Sequence, residues 1–259
     1  MTEDWLRALI ALPFALAIGS FMTVVMSRVP AGESVLSPRS KCPRCGADIA
    51  NRDNIPVLGW LLLGGKCRSC RARISVVYPL IEVSTALLIV GAFWRYDDPW
   101  VAGAVAGLLA LMPAISAIDI AHKIIPNRVV YSSLMVFPLY LGLAALVGAP
   151  VDLVRMAIGF GTYGGGLLVV ALISGGMGMG DVKLAALIGL VLGSIDLAFV
   201  GVAAGAAIAL GGMGAIVALL VGKGRKAAIP FGPYLAGGAV VAAFWGEALS
   251  RWYLDTVLG

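Results

Sequence analysis

Two aspartates set in otherwise apolar sequence, and two pairs of cysteines set outside it, are the residues of this chain whose types and spacing could do chemistry. Asp119 sits in Ala117-Ile118-Asp119-Ile120-Ala121-His122-Lys123 at the end of an apolar run, and Asp181 closes Gly178-Met179-Gly180-Asp181. A carboxylate is costly inside a bilayer, so an acid within an apolar segment marks a functional site by default; Glu82 and Glu247 belong to the same class. Two carboxylates at close range cannot both ionise, so one keeps its proton. Such a pair activates water: the ionised member takes a proton as water attacks a carbonyl, and the protonated member donates a hydrogen bond to the developing oxyanion. The glycines beside Asp181 carry no side chain to hold a substrate backbone away. For either acid alone, a helix cap or an ion pair with Lys123, Lys183 or Arg128 competes evenly with this reading; for both together the catalytic reading weighs more.

The cysteines form Cys42-Pro43-Arg44-Cys45 and Cys67-Arg68-Ser69-Cys70, with 21 residues between the pairs. Two tight turns that each present two sulfurs close a tetrahedral thiolate site, and zinc is the economical occupant. A pair of disulfides or four free thiols is the alternative. Four thiolates leave no coordination position for water, so the metal's expected role is to fold its loop. Asn51 to Trp60 offers too short an apolar patch to do so. His122, the single histidine, stands beside Lys123 at a helix end and is expected to be interfacial or orienting. Met177-Gly178-Met179 reads as loop packing.

The elements that must position these groups are membrane helices. Of 259 residues, 60% are hydrophobic and 13% charged, against roughly 45–50% and about 25% in soluble domains. The mean hydropathy is +0.97, and apolar runs recur along the whole length. Spans are predicted near 5–28, 75–95, 100–121, 128–148, 153–174, 183–194, 197–222 and 231–254. The expected class is therefore an all-α polytopic membrane protein of about eight transmembrane helices with a small cytoplasmic loop domain. The sixth stretch is too short to cross a core of about 30 Å and reads as a half-helix or re-entrant segment packed inside protein. The first run is too long for a signal-peptide core and follows Glu3-Asp4 rather than basic residues, so it is expected to remain as a span.

Arg28, Arg39, Lys41, Arg44, Arg52, Lys66, Arg68, Arg71 and Arg73 crowd the first loop. Lys123 with Arg128, and Lys223 with Arg225 and Lys226, fall in connections of the same parity, whereas Asp97, Asp98 and Asp152 fall in the others. The basic side is the cytoplasmic side. Topology thus accounts for the net charge of +5, and nucleic acid is not an expected partner. Glycines at 159, 161, 164 to 166, 201, 205, 211, 212 and 214 are expected to allow close helix approach.

Taken in order, these residues resemble the bacterial type IV prepilin peptidases, aspartic intramembrane enzymes with a Gly-x-Gly-Asp motif. The resemblance rests on Gly19-Ser20-Phe21, the cysteine pairs, Asn54-Ile55-Pro56 before Trp60, Ile74-Ser75, Tyr78-Pro79 and Glu82. It continues through Asp119 to Asn127, Gly178 to Leu184 and Ile229-Pro230-Phe231-Gly232-Pro233. It implies that Asp119 and Asp181 are the catalytic pair and that Cys42, Cys45, Cys67 and Cys70 hold zinc. It also implies cleavage of basic leaders from prepilins or pseudopilins after a glycine, at the cytoplasmic face of the bacterial inner membrane. Methylation of the new N-terminal amine from S-adenosylmethionine is the implied second activity, with pilus or secretion-system components and the lipid bilayer as partners.

The resemblance divides the chain into a first helix at 1–28, a zinc-binding, methyltransferase-associated loop at 29–74 and a peptidase bundle at 75–259. The methyl-donor site has no assignable residues. Thr23 stands where the family usually has Asn, and Ala121 where a second acid is common. A basic loop receiving a basic leader leaves Glu33, Asp48 and Asp53 as its acids. The alternatives are a proton- or cation-coupled transporter with a zinc loop, a presenilin-like enzyme and an assembly scaffold. A transporter would more often show matched halves, which are absent. Presenilin-like enzymes place Tyr before the first aspartate, where this chain has Ile118.

Overall fold

In lipid a backbone must satisfy its own hydrogen bonds, so apolar runs of this length become helices. The computed structural model describes residues 4–37, 39–222 and 230–258; Lys223, Arg225, Lys226 and Ile229 lie outside them. The helices are α1 (Asp4–Arg28), α2 (Leu58–Leu62), α3 (Val77–Arg95), α4 (Pro99–His122), α5 (Asn127–Leu146), α6 (Leu153–Ser174), α7 (Met179–Gly193), α8 (Leu197–Leu220) and α9 (Gly232–Tyr253). Among the described residues, six helices are long and apolar enough to cross a membrane: α1 over Ile10–Arg28, α3, α4, α5, α6 and α8. The chain is a multi-pass membrane protein. The eighth predicted span becomes α9, which matches it in place but falls outside those six.

The sixth predicted stretch becomes α7, whose 15 residues reach only about 22 Å. Every residue from Leu184 to Gly193 is buried, beneath α4, α5, α6, α8 and α9. A helix that is apolar all round belongs in a core, and this one is shielded from lipid by its neighbours. It begins at Met179 rather than near residue 183, so Asp181 lies inside its first turn instead of before it.

The tightest helix pair is α6 on α7. A Cβ on Gly159 would collide with the carbonyl oxygen of Gly189, one on Gly189 with that of Gly159, and one on Gly164 would stand 2.6 Å from the Ala186 Cβ. Gly211 and Gly214 likewise admit Phe231 and Tyr234. Gly161, Gly165, Gly166, Gly201, Gly205 and Gly212 meet nothing within 4 Å, so close packing is not their role. Both parties at Gly159 are backbone and cannot swing aside. Gly159→Ala is therefore expected to cost on the order of 1–3 kcal/mol through overpacking, read as a lower inactivation temperature in detergent. Gly161→Ala should be neutral or slightly stabilising, because Ala is the better helix former.

Three of the acidic connections serve as caps. Asp98 accepts from the amides of Trp100 and Val101 at 2.9 and 3.0 Å, with Pro99 at the first helical position of α4. Asp152 caps α6 and Asp196 caps α8 in the same way. At the other end of the bundle a basic loop leaves α1 and returns at α3. An apolar cluster of Met22, Val25, Ile81 and Ala114 fastens α1 and α3 to α4 just beneath that loop.

Candidate functional site

Asp119 lies in the last turn of α4, which ends at His122 and is capped by Lys123 in the left-handed conformation (φ 56°). Its side chain is 4% exposed. Oδ2 accepts a hydrogen bond of 2.8 Å from the backbone N–H of Gly232, the first residue of α9, where the helix end presents partial positive charge. A Cβ at residue 232 would sit 2.7 Å from that oxygen, so a glycine is required for the amide to reach it. Sequence reasoning singled out Pro230-Phe231-Gly232-Pro233 without giving it a task. The signal available was a glycine between prolines at a helix start, but its partner lies 113 residues away in the chain.

Asp181 stands in the first turn of α7, another favourable position for negative charge. Its carboxylate and that of Asp119 are close enough for their charges to interact. Two contacts clasp the segments that carry them. A side chain on Gly180 would press on Ile125, 2.9 Å from its Cβ. Lys183 donates to Asn127 Oδ1 at 3.0 Å and stands 4.7 Å from the Tyr131 ring centre. Lys183 is thereby occupied, and among the described residues neither aspartate has an ion-pair partner. The ion-pair reading of these acids has nothing to support it there.

The other two intramembrane acids lie elsewhere. Glu247 pairs with Arg95 at 2.9 Å and with Arg251, all three partly exposed at the opposite end of the bundle; such pairs contribute about 0–1 kcal/mol. Glu82, on α3, accepts a 2.7 Å hydrogen bond from the Val57 amide and interacts with the Ser20 hydroxyl. Val57 has φ 63° and ψ −51°, and the amide of Leu58 reaches the carbonyl of Pro56 at 2.6 Å. This is a γ-turn of the strained hand, rare for any residue and an outlier for a β-branched one. No sequence signal announced it.

The four cysteine side chains converge. Their sulfur atoms all lie within 4.8 Å of one another, and Cys42 Sγ is 3.8 Å from Cys70 Sγ. That separation is far beyond a disulfide bond and equals the edge of a tetrahedron with Zn–S near 2.3 Å, about 3.8 Å. The donor set therefore fits zinc, and all four thiols are free. The two knuckles repeat one pattern: Cys42 N–H to Ala47 and Gly46 N–H to Cys42, then Cys67 N–H to Ala72 and Arg71 N–H to Cys67. Gly46 and Arg71 hold the matching left-handed position. Amides of Cys45 and Arg44 pull the Cys42 thiol down, towards the thiolate that binds metal, while the thiols of Cys70 and Cys42 push Cys45 up.

Between the knuckles, Asn51–Asp53 forms a short 3₁₀ turn and α2 supplies Trp60, whose Nε1 donates to the Ile74 carbonyl at 3.2 Å. Arg68 grips Asp53 with both ends of its guanidinium, at 2.7 and 2.6 Å, which holds that carboxyl below its usual range. Lys41 stands 3.6 Å from Asp48. Two of the three loop acids expected to face a leader are thus already engaged within the loop. A cavity of about 960 Å³ separates the knuckles from α1 and α3, with Thr23, Trp60, Tyr78 and Glu82 in its wall. Thr23 is buried and satisfies its own helix, donating to the Ser20 carbonyl at 2.7 Å.

Residues 14–96 match the Bacterial Peptidase A24 N-terminal domain and residues 106–216 the Type IV leader peptidase family. The chain is similar to a prepilin leader peptidase/N-methyltransferase of Aeromonas salmonicida, 35% identical over 98% of this chain and 96% of that one. Proteins of the same name from Bacillus subtilis and Pseudomonas aeruginosa are 32% and 34% identical, over 95% and 93% of this chain and 97% and 91% of theirs. No solved structure matches.

Proposed function

The chain belongs to the type IV leader peptidase family, a family of aspartic peptidases, and from that premise we propose that Asp119 and Asp181 are the dyad that removes the basic leader of a prepilin or pseudopilin after its glycine. The observation that carries this reading is that the carboxylates of α4 and α7 lie within range of each other's charge, with Asp119 held by the Gly232 amide. One proton is shared between them. The ionised carboxylate takes a proton from water as the oxygen attacks the scissile carbonyl, and the protonated one donates to the oxyanion. Collapse of the tetrahedral intermediate then expels the new amine. Fixed amides such as Gly232 N–H orient the pair at no reorganisation cost.

The remaining assignments follow the charge pattern and the relatives' names. The basic loop supports a dyad and cysteine cluster that face the cytoplasm from the bacterial inner membrane, with pilus or type II secretion components downstream. By function the chain divides after residues 28 and 74, into a first-helix unit (1–28), the zinc loop (29–74) and the peptidase bundle (75–259). Cys42, Cys45, Cys67 and Cys70 would hold structural zinc, which supplies a cross-link for a loop with little core of its own. The second activity is methylation of the new N-terminal amine from S-adenosylmethionine.

The test is the mass of the product when purified protein in detergent meets a prepilin and S-adenosylmethionine. Loss of the leader plus one methyl is expected. A product that has lost the leader but gained no methyl removes the second activity, and an intact prepilin removes the first.

A further inference from the structure

We propose that the cavity between the cysteine knuckles and α1 and α3 is the chamber for amine methylation, with Glu82 as the carboxylate that receives the substrate's N-terminal amine. The proposal rests on the methyltransferase reading above and adds its place and its residue. The volume of about 960 Å³ is at the upper end for small-molecule sites and accommodates a nucleoside-sized donor together with the end of a peptide.

The acids of the chamber are not alike. Three acids line it: Asp48, Asp53 and Glu82. Asp48 is paired with Lys41 and Asp53 with Arg68, whereas Glu82 has no ion-pair partner among the described residues. It belongs to α3, and the basic residues that share the lining are Lys41 and Arg68, already paired, Arg44, Arg71 and Arg73 of the knuckles, and Arg28 of α1, which donates to the Ser34 and Arg39 carbonyls. A lone carboxylate in such a wall selects a cation. The Val57 amide and Ser20 hydroxyl engage it, yet a carboxylate has about four acceptor sites, so capacity for an ammonium remains. The Val57 turn supports the assignment independently: strained backbone persists where it positions functional groups, and here its one aimed N–H holds the acid in the chamber wall.

The location suits a peptide handed on from the dyad. Thr23 and Glu82 line the chamber, and their neighbours Met22 and Ile81 pack with Ala114, on the helix that carries Asp119. Helix α4 is thus the element that both sites share as a neighbour. The step balances as follows. The ammonium gives a proton to Glu82, and the neutral amine attacks the methyl carbon of a sulfonium donor. The N–C bond forms as the C–S bond breaks, the electron pair stays on sulfur as a neutral thioether, and Glu82 returns its proton to water.

The experiment uses the zinc-loaded chain in detergent, a prepilin and S-adenosylmethionine, and compares wild type with Glu82→Gln, which keeps an acceptor oxygen for the Val57 amide. Leader cleavage is expected to change less than about twofold while methylation falls about 100-fold, the lower range for a positioned proton acceptor. The deficit should shrink as pH rises past about 8, where a free α-amine loses its own proton; a merely distorted chamber would show the same deficit at every pH. Undiminished methylation, a pH-independent deficit, or parallel loss of cleavage overturns the proposal. A wild type that cleaves without methylating overturns the second activity itself and the proposal with it.

Discussion

Asp119→Asn, and separately Asp181→Asn, is expected to lower leader cleavage by roughly 10²–10⁴-fold, the range a positioned acid–base group contributes. Each change is nearly isosteric. An Asn at 119 still offers an oxygen to the Gly232 amide, so the bond between the ends of α4 and α9 is preserved and expression and zinc content should match wild type. What is lost is the ability of the pair to hold one proton and one charge at once. The two effects should be far from additive, because the dyad acts as a unit. The measurement is the rate of prepilin processing beside intact zinc content, and processing that persists in either variant would falsify the dyad.

The second large effect is expected at the knuckles. Cys42→Ser combined with Cys45→Ser removes two of four ligands and should release the metal. Structural zinc contributes about 10–16 kcal/mol in zinc-finger peptides, more than the few other contacts of this loop supply. Residues 39–74 should then become open to protease, and methylation should fall with them, since Cys42 and Cys67 stand in the wall of the chamber. Leader cleavage should survive to a larger extent, because α4, α7 and α9 hold the aspartates without the loop. Full protection of the loop in the metal-free variant would refute a structural role for zinc.

Much of this site was legible in one dimension because its signals are local. An acid in an apolar run is conspicuous against its solvent, and Asp119 and Asp181 stand out for that reason alone. Cys-x-x-Cys is a complete half-site, since one tight turn aims both sulfurs. The span pattern is likewise a property of short windows, and each predicted span has its helix, from α1 to α9. The glycines show where locality ends. Gly159 and Gly161 look alike in sequence, yet one meets the backbone of α7 and the other meets nothing, since two positions on a helix face different directions.

The sequence by itself determined the helices, the membrane setting, the two acids and the four thiols, because hydrophobicity and ligand spacing act between near neighbours. Only the tertiary structure decided that α7 is a buried core helix, that Gly232 presents its amide to Asp119, and that Glu82 holds a strained turn at Val57 above a chamber. Each of those depends on which surfaces meet when helices pack. The partners lie 25 residues apart for Glu82 and Val57 and 113 for Asp119 and Gly232, and neither contact leaves a trace in the residues that lie between.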